Sequence, residues 1–267
     1  MKRFLCICFV MTGLIGCAAK QPQQPPLTTT TAVTTTTAPK DPYEENKLPK
    51  AKEAFFEGTF LSYDGFLDPK TVKPVVVTDP EKLMDVTVLI NKYYAIEEGW
   101  IPEDLVSIET NFSRPSKLRK EAAEAWKELD AAAKEAGLTF YARDGWRSSD
   151  LQNTYFSQAY NRNKGSAARF NALPWRSEHQ LGLAMDVTDV TTTDNSLRQD
   201  FIDTPHGIFL VEEGWKYGWI VRYTKEKEMI TQYNAEPWHI RYVGKELAQI
   251  LVENNLTLEE YYGEVYE

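Results

Sequence analysis

Cysteine and histidine are scarce in this chain, three of each among 267 residues. The cysteines are Cys6, Cys8 and Cys17. All lie close to the start, so everything after them must fold without a disulfide and stand on its apolar core. A basic surplus is missing too. The formal charge is -9, which leaves no stripe of cations to displace counterions from phosphate and excludes nucleic acid as a partner. An acidic, solvated surface accounts for that charge. At 42% hydrophobic and 12% aromatic content, the length suffices for one sizeable core.

The first residues read as a leader. Lys2 and Arg3 precede an apolar run, Phe4 to Ile15, that is shorter than the ~20 residues a spanning helix needs. Leu14-Ile15-Gly16-Cys17 closes it and resembles a bacterial lipobox. That implies a signal peptide over 1–16, cleavage before Cys17, and acylation of Cys17 as a membrane anchor. From there to about residue 52, Gln, Pro and Thr dominate, with threonine runs at 28–31 and 34–37. So little apolar surface cannot offset chain entropy, and 17–52 is expected to be a disordered tether.

Folded character begins near residue 53. Tyr63-Asp64-Gly65 marks a hairpin within Phe55–Asp68, and Val75–Thr78 a short strand. Residues 83–105 have no firm assignment and are expected to wrap the core. An apolar stripe through Leu118, Ala122, Ala125, Trp126, Leu129 and Ala133 predicts a helix over 117–137, ended by Gly137. A strand at 138–142, a helix at 150–163, and a loop at 164–176 follow. The alternation of Leu183, Met185 and Val187 places Asp186 on a strand entering the core, where a buried acid needs a partner. A helix over 209–217, a strand at 219–223, and a closing helix at 245–254 with 256–262 after it complete an α+β domain. It is expected to be a small antiparallel sheet packed by several helices.

The candidate chemistry sits in two clusters. Ser177-Glu-His179-Gln-Leu-Gly182-Leu-Ala184-Met-Asp186 sets an imidazole and a carboxylate seven positions apart, and Glu236-Pro237-Trp238-His239 adds a second imidazole beside another carboxylate. Two histidines and an aspartate match a catalytic zinc whose fourth position is left to water. Glu236 is then free to move a proton. In a plain strand Glu236 and His239 would face opposite ways, so Pro237 is expected to kink the chain there. Trp238 is expected in the core. His206, within Thr204-Pro205-His206-Gly207, is expected in an exposed loop, away from any metal. Arg147 has two readings: an arginine paired with a surface acid, or a bidentate fork for a carboxylate or oxyanion.

Those two motifs, with Gly145-Trp146-Arg147-Ser148, resemble the VanY-type D-alanyl-D-alanine carboxypeptidases. They belong to a zinc peptidase group that also contains lysostaphin-like enzymes and the hedgehog signalling domain. The resemblance spans about residues 80–250. It implies His179, Asp186 and His239 as Zn2+ ligands and Glu236 as general base and then general acid. It also implies a catalytic Arg147 that binds the substrate or stabilises the oxyanion, Gln152 at the same substrate cleft, and Ser177 in support of substrate or ligand geometry. Trp146 stands where the family more often has tyrosine. The expected activity is removal of a terminal D-alanine from peptidoglycan stem peptides by a monomer tethered outside the cytoplasm. L,D-carboxypeptidase, endopeptidase and non-catalytic wall-binding alternatives remain open at this level.

Overall fold

The computed structural model describes residues 72–110, 115–189 and 197–264, the side chains of 163–165 excepted. The leader, Cys17, the tether and the hairpin expected at Phe55–Asp68 lie outside the described residues. The first element is β1 (Val75–Val77), three β-branched residues, followed by the single-turn α1 (Pro80–Met84), which Asp79 caps through Glu81 N. Next, β2 (Tyr94–Ile96) pairs with β1 in parallel.

Then β3 (Leu105–Ile108) and β4 (Ser116–Arg119) form an antiparallel pair. Here the helix expected from residue 117 starts late. Leu118 fits the apolar stripe of the helix, yet it pairs with Val106 and is fully buried as a strand residue. Tertiary pairing thus overrides local periodicity. The remaining helix, α2 (Lys120–Glu135), buries Ala122, Ala125, Trp126, Leu129 and Ala133 along one face.

A four-stranded sheet carries the rest. Its members are β5 (Tyr141–Asp144), β6 (Ala184–Thr188), β7 (Trp219–Tyr223) and β8 (Glu236–Tyr242), in the order β5-β6-β8-β7 with every pair antiparallel. Between β5 and β6 runs α3 (Ser149–Asn163); between β6 and β7 comes α4 (Pro205–Glu213), and before β8 the one-turn α5 (Glu228–Thr231). The chain closes with α6 (Lys245–Glu253) and α7 (Leu258–Tyr262).

One side of the sheet meets the core. Trp219 packs edge-on to Trp126 at 6.5 Å, and Trp126 to Phe140 at 6.2 Å. Leu183, Met185, Val187 and Ile240 are buried there, each worth about 1.5–3 kcal/mol removed from water. The same alternation turns Asp186 of β6 and His239 of β8, which are next to these core residues in sequence, to the opposite side, where the site lies. His206 is half-buried in the first turn of α4, not in a loop; Thr139 N donates to its Nε2 at 3.3 Å, and its ring meets Phe140.

Candidate metal centre

Sheet register assembles the site. Asp144 is paired with Asp186, and Asp186 with His239. Residues directly opposite in neighbouring strands share a face, so three titratable side chains form one row across β5, β6 and β8. His179 comes from outside the sheet, on a tight 3-10 turn over Glu178–Leu181 that Gly182 ends at φ 69°. A side chain on Gly182 would be strained at that φ, and its Cβ would fall 2.8 Å from Leu105 Cδ2.

Both imidazoles are held by their far nitrogens. His179 Nδ1 lies 2.7 Å from the Gly145 carbonyl oxygen, and His239 Nε2 lies 3.2 Å from Glu178 Oε2. Acceptors at those positions place the ring hydrogens there, which leaves the lone pairs of His179 Nε2 and His239 Nδ1 turned inward. Each of these nitrogens is 3.4 Å from Asp186 Oδ1. The three possible ligand atoms lie within 4.8 Å of one another.

A cation fits this arrangement on the protein's own chemistry. Asp186 Oδ1 is buried and accepts no hydrogen bond, whereas Oδ2 accepts one from Arg147 Nη2 at 2.5 Å. An orphaned carboxylate oxygen between two inward lone pairs is the donor set of a three-ligand zinc site. Burial opposes charge on His239, but Asp186 and Glu178 on its two sides raise its pKa to about 9. Burial also opposes charge on Asp186, yet His179 and Arg147 hold it well below the usual carboxylate range. Burial and the nearby Arg147 lower His179. Asp186 and Glu178 thus place negative charge on both sides of His239, which a metal ion would offset.

Glu236 lies at the edge of the triangle. Its Oε2 is 3.7 Å from His239 Nδ1, and burial pushes its pKa up to about 8 against the pull of His239. The irregularity expected at Pro237 lies in β8: its pairing with β7 takes four steps from Glu236 to Ile240 against two from Tyr223 to Val221, so extra residues of β8 bulge across Pro237. β8 runs unbroken from Glu236 to Tyr242, and Pro237 lies past the end of the β6 ladder, whose last pair is Asp186 with His239. On the other side of β8, the pairing with β7 shifts register between Val221 and Tyr223. Such an irregularity adds local twist and re-aims side chains near the strand end.

Arg147 is not the surface pair of the first reading. Its partners are acids, but buried ones: Nε donates to Asp144 Oδ2 at 2.8 Å and Nη2 to Asp186. Nη1 reaches Gln152 Oε1 at 3.4 Å, and Gln152 Nε2 donates to the Ala172 carbonyl at 2.8 Å. Gln152 and Ser177, both buried, line the same cleft of about 410 Å³ as Arg147, the three possible ligands and Glu236. Trp238 is half-buried and also lines it, so it belongs to the cleft wall as well as to the core. Glu178 and Asp144, buried beside these groups, carry no signal in the sequence. A carboxylate next to a histidine carries no signal of its own until the strands bring Arg222, Arg241 and His239 to it.

A family model described as VanY, D-alanyl-D-alanine carboxypeptidase, matches residues 115–245. YodJ of Bacillus subtilis (strain 168) is 37% identical over 230 residues, covering 83% of each chain. The solved structure of the LdcB LD-carboxypeptidase has a TM-score of 0.63 at 38% identity, over 73% of this chain and 94% of that one. A mutant of the vancomycin resistance D,D-pentapeptidase VanY from a VanB-type cassette, solved in complex with Zn(II), has a TM-score of 0.54 at 28% identity, over 66% and 98%. By fold, by site and by these likenesses, the chain belongs to the VanY family of D-alanyl-D-alanine carboxypeptidases, which are zinc metallopeptidases.

Proposed function

We propose that this protein is a zinc-dependent carboxypeptidase that removes the terminal D-alanine of peptidoglycan stem peptides, with the D-Ala–D-Ala bond as the one cut. The observation that carries the reading is the orphaned Asp186 Oδ1 between His179 Nε2 and His239 Nδ1, with Glu236 beside them and outside the ligand set. A structural zinc is normally closed by four protein ligands. Here three groups converge and a further carboxylate with a raised pKa stands next to them, which favours catalysis over a structural pin.

Zinc held by the three residues supplies Lewis acidity and brings the pKa of bound water near ~7. Glu236 takes the proton released as the scissile carbonyl is attacked and returns it to the departing amine; a pKa near the working pH suits both directions. Arg147 keeps Asp186 in place through Oδ2, so that Oδ1 stays directed at the two imidazoles. Gln152 and Ser177, on the cleft wall, are placed to contact the peptide.

A second reading has support of its own. LdcB, an LD-carboxypeptidase, shares 38% identity over 94% of its chain, which favours cleavage between an L-residue and the terminal D-alanine of a tetrapeptide. Mass spectrometry of products from penta- and tetrapeptide stems separates the two. Loss of one D-alanine from the pentapeptide alone supports the D,D assignment, and loss from the tetrapeptide alone replaces it with L,D. Intact stems of both kinds with zinc bound would contradict carboxypeptidase activity altogether. No helix among the described residues is long and apolar enough to cross a membrane. The lipobox-like Leu14–Cys17 supports a lipid anchor and a location outside the cytoplasm, where peptidoglycan lies; radiolabelled palmitate incorporation that vanishes in Cys17→Ala would test it.

A further inference from the structure

His239 is tied to parts of the chain that lie far from it in sequence. Glu178 divides its two oxygens: Oε2 faces His239 Nε2, while Oε1 accepts from Arg222 Nε at 2.8 Å and Arg241 Nη1 at 2.9 Å. Arg222 then reaches α7 with a two-pronged grip on Glu259, Nη2 to Oε1 at 2.6 Å and Nη1 to Oε2 at 3.0 Å. Asn91 Nδ2 donates to Glu259 Oε1 at 3.1 Å, and Arg241 Nη2 donates to the carbonyls of Val86 and Val88 at 2.9 and 2.8 Å. Glu178, Arg222, Arg241, Glu259 and Asn91 are each 3% exposed or less.

We propose that Glu178 is a positioning residue for His239, and that Glu259 on α7, acting through Arg222, anchors Glu178, so that segments flanking the family-matched 115–245 complete the metal centre. The inference rests on His239 being a zinc ligand.

The physical case has three parts. Buried ion pairs are weak stabilisers of a fold, because desolvation consumes much of the Coulombic gain, so two acids and two guanidiniums need another explanation than stability alone. Glu178 cannot turn without giving up contacts to two guanidiniums and an imidazole at once. A carboxylate fixed in that way fixes the hydrogen on His239 Nε2 and the plane of its ring, and hence the direction of the Nδ1 lone pair. Glu259 touches no candidate ligand. Its influence has to pass through Arg222.

The test is zinc affinity of the full chain by chelator competition, well below the unfolding temperature, with the absorption of the cobalt-substituted protein as a second readout. Glu178→Gln is expected to weaken zinc about 10- to 100-fold, the usual effect of losing a partner of a ligating histidine. Glu259→Gln is expected to weaken it about 2- to 30-fold, to shift the cobalt bands the same way, and to combine less than additively with Glu178→Gln. Glu260→Gln is the control. It removes the Lys227 ion pair on the same helix, keeps an acceptor for the Thr257 capping box, and touches nothing in the chain of contacts. It should lower Tm and leave zinc affinity alone.

Wild-type affinity in Glu178→Gln would overturn the proposal, as would Glu260→Gln weakening zinc as much as Glu259→Gln, which would reduce the effect to loose docking of α7. If Glu178→Gln does not fold, Glu259→Gln carries the test. A wild-type chain that binds no zinc would overturn the metal reading and this inference together, whereas wild-type affinity in the variants overturns this inference alone.

Discussion

Two buried glutamates flank the same imidazole and are pushed in opposite directions. Glu178, at His239 Nε2, has burial working against its charge, yet Arg222 and Arg241 outweigh it and hold its carboxyl far below the ordinary range. Glu236, at the Nδ1 side, takes no such guanidinium contact; burial lifts it to about 8, with His239 the main influence the other way. The difference comes from neighbours brought in by the fold, since both are glutamates and both are buried. Groups pushed apart in this way divide the labour of a site. The permanently charged one can orient a ligand, and the one that titrates near neutrality can carry a proton.

Exchange of the titrating glutamate should have the largest effect. Glu236→Gln is expected to lower kcat for D-alanine release by about 10²- to 10⁴-fold while zinc affinity, read by chelator competition, stays at the wild-type value. A loss of zinc instead would move Glu236 into the ligand set and erase the contrast with Glu178. Arg147→Lys comes next. It keeps a charge but loses the fork between Asp144 and Asp186, so steady-state kinetics should show kcat/KM down about 10- to 100-fold. An unchanged kcat/KM would mean that the orientation of Asp186 does not depend on Arg147.

Smaller still is the effect expected on the His179 side. A Cβ on Gly145 would fall 2.5 Å from the Lys117 carbonyl oxygen. Gly145→Ala is therefore expected to cost about 1–3 kcal/mol of stability in denaturant melts, through displacement of the carbonyl that orients His179. A neutral result there would show that the loop yields freely. The exposed pair of Lys216 with Glu213, at 2.6 Å, marks the lower limit. Lys216→Met should change stability by less than about 0.5 kcal/mol, in contrast to the buried pairs at Glu178. A larger loss would mean that pairing matters here irrespective of burial.

The four residues that converge at the candidate site could be named from the sequence, because ligand chemistry restricts the choice: a chain with three histidines offers few ways to build a zinc triad. The sheet could be anticipated too, since Leu183, Met185 and Val187 alternate around Asp186. What could not be read is whatever depends on distant pairing. Glu178 meets Arg222 and Arg241 across separations of 44 and 63 residues, and no local pattern encodes that. The same holds for Leu118, whose spacing suits a helix but whose partner strand takes it, and for Arg147, whose acids are buried beside the metal triangle. Trp238 looked like core alone because a single strand does not reveal that a cleft runs along its edge.

Zinc stoichiometry set against turnover tests the central claim most directly. Metal-stripped protein is titrated with zinc while D-alanine release from stem peptide is followed on the same sample. The account predicts no turnover without metal and a linear rise that stops at one zinc per chain. Turnover in the stripped protein, or a rate that does not follow the first equivalent, would contradict it.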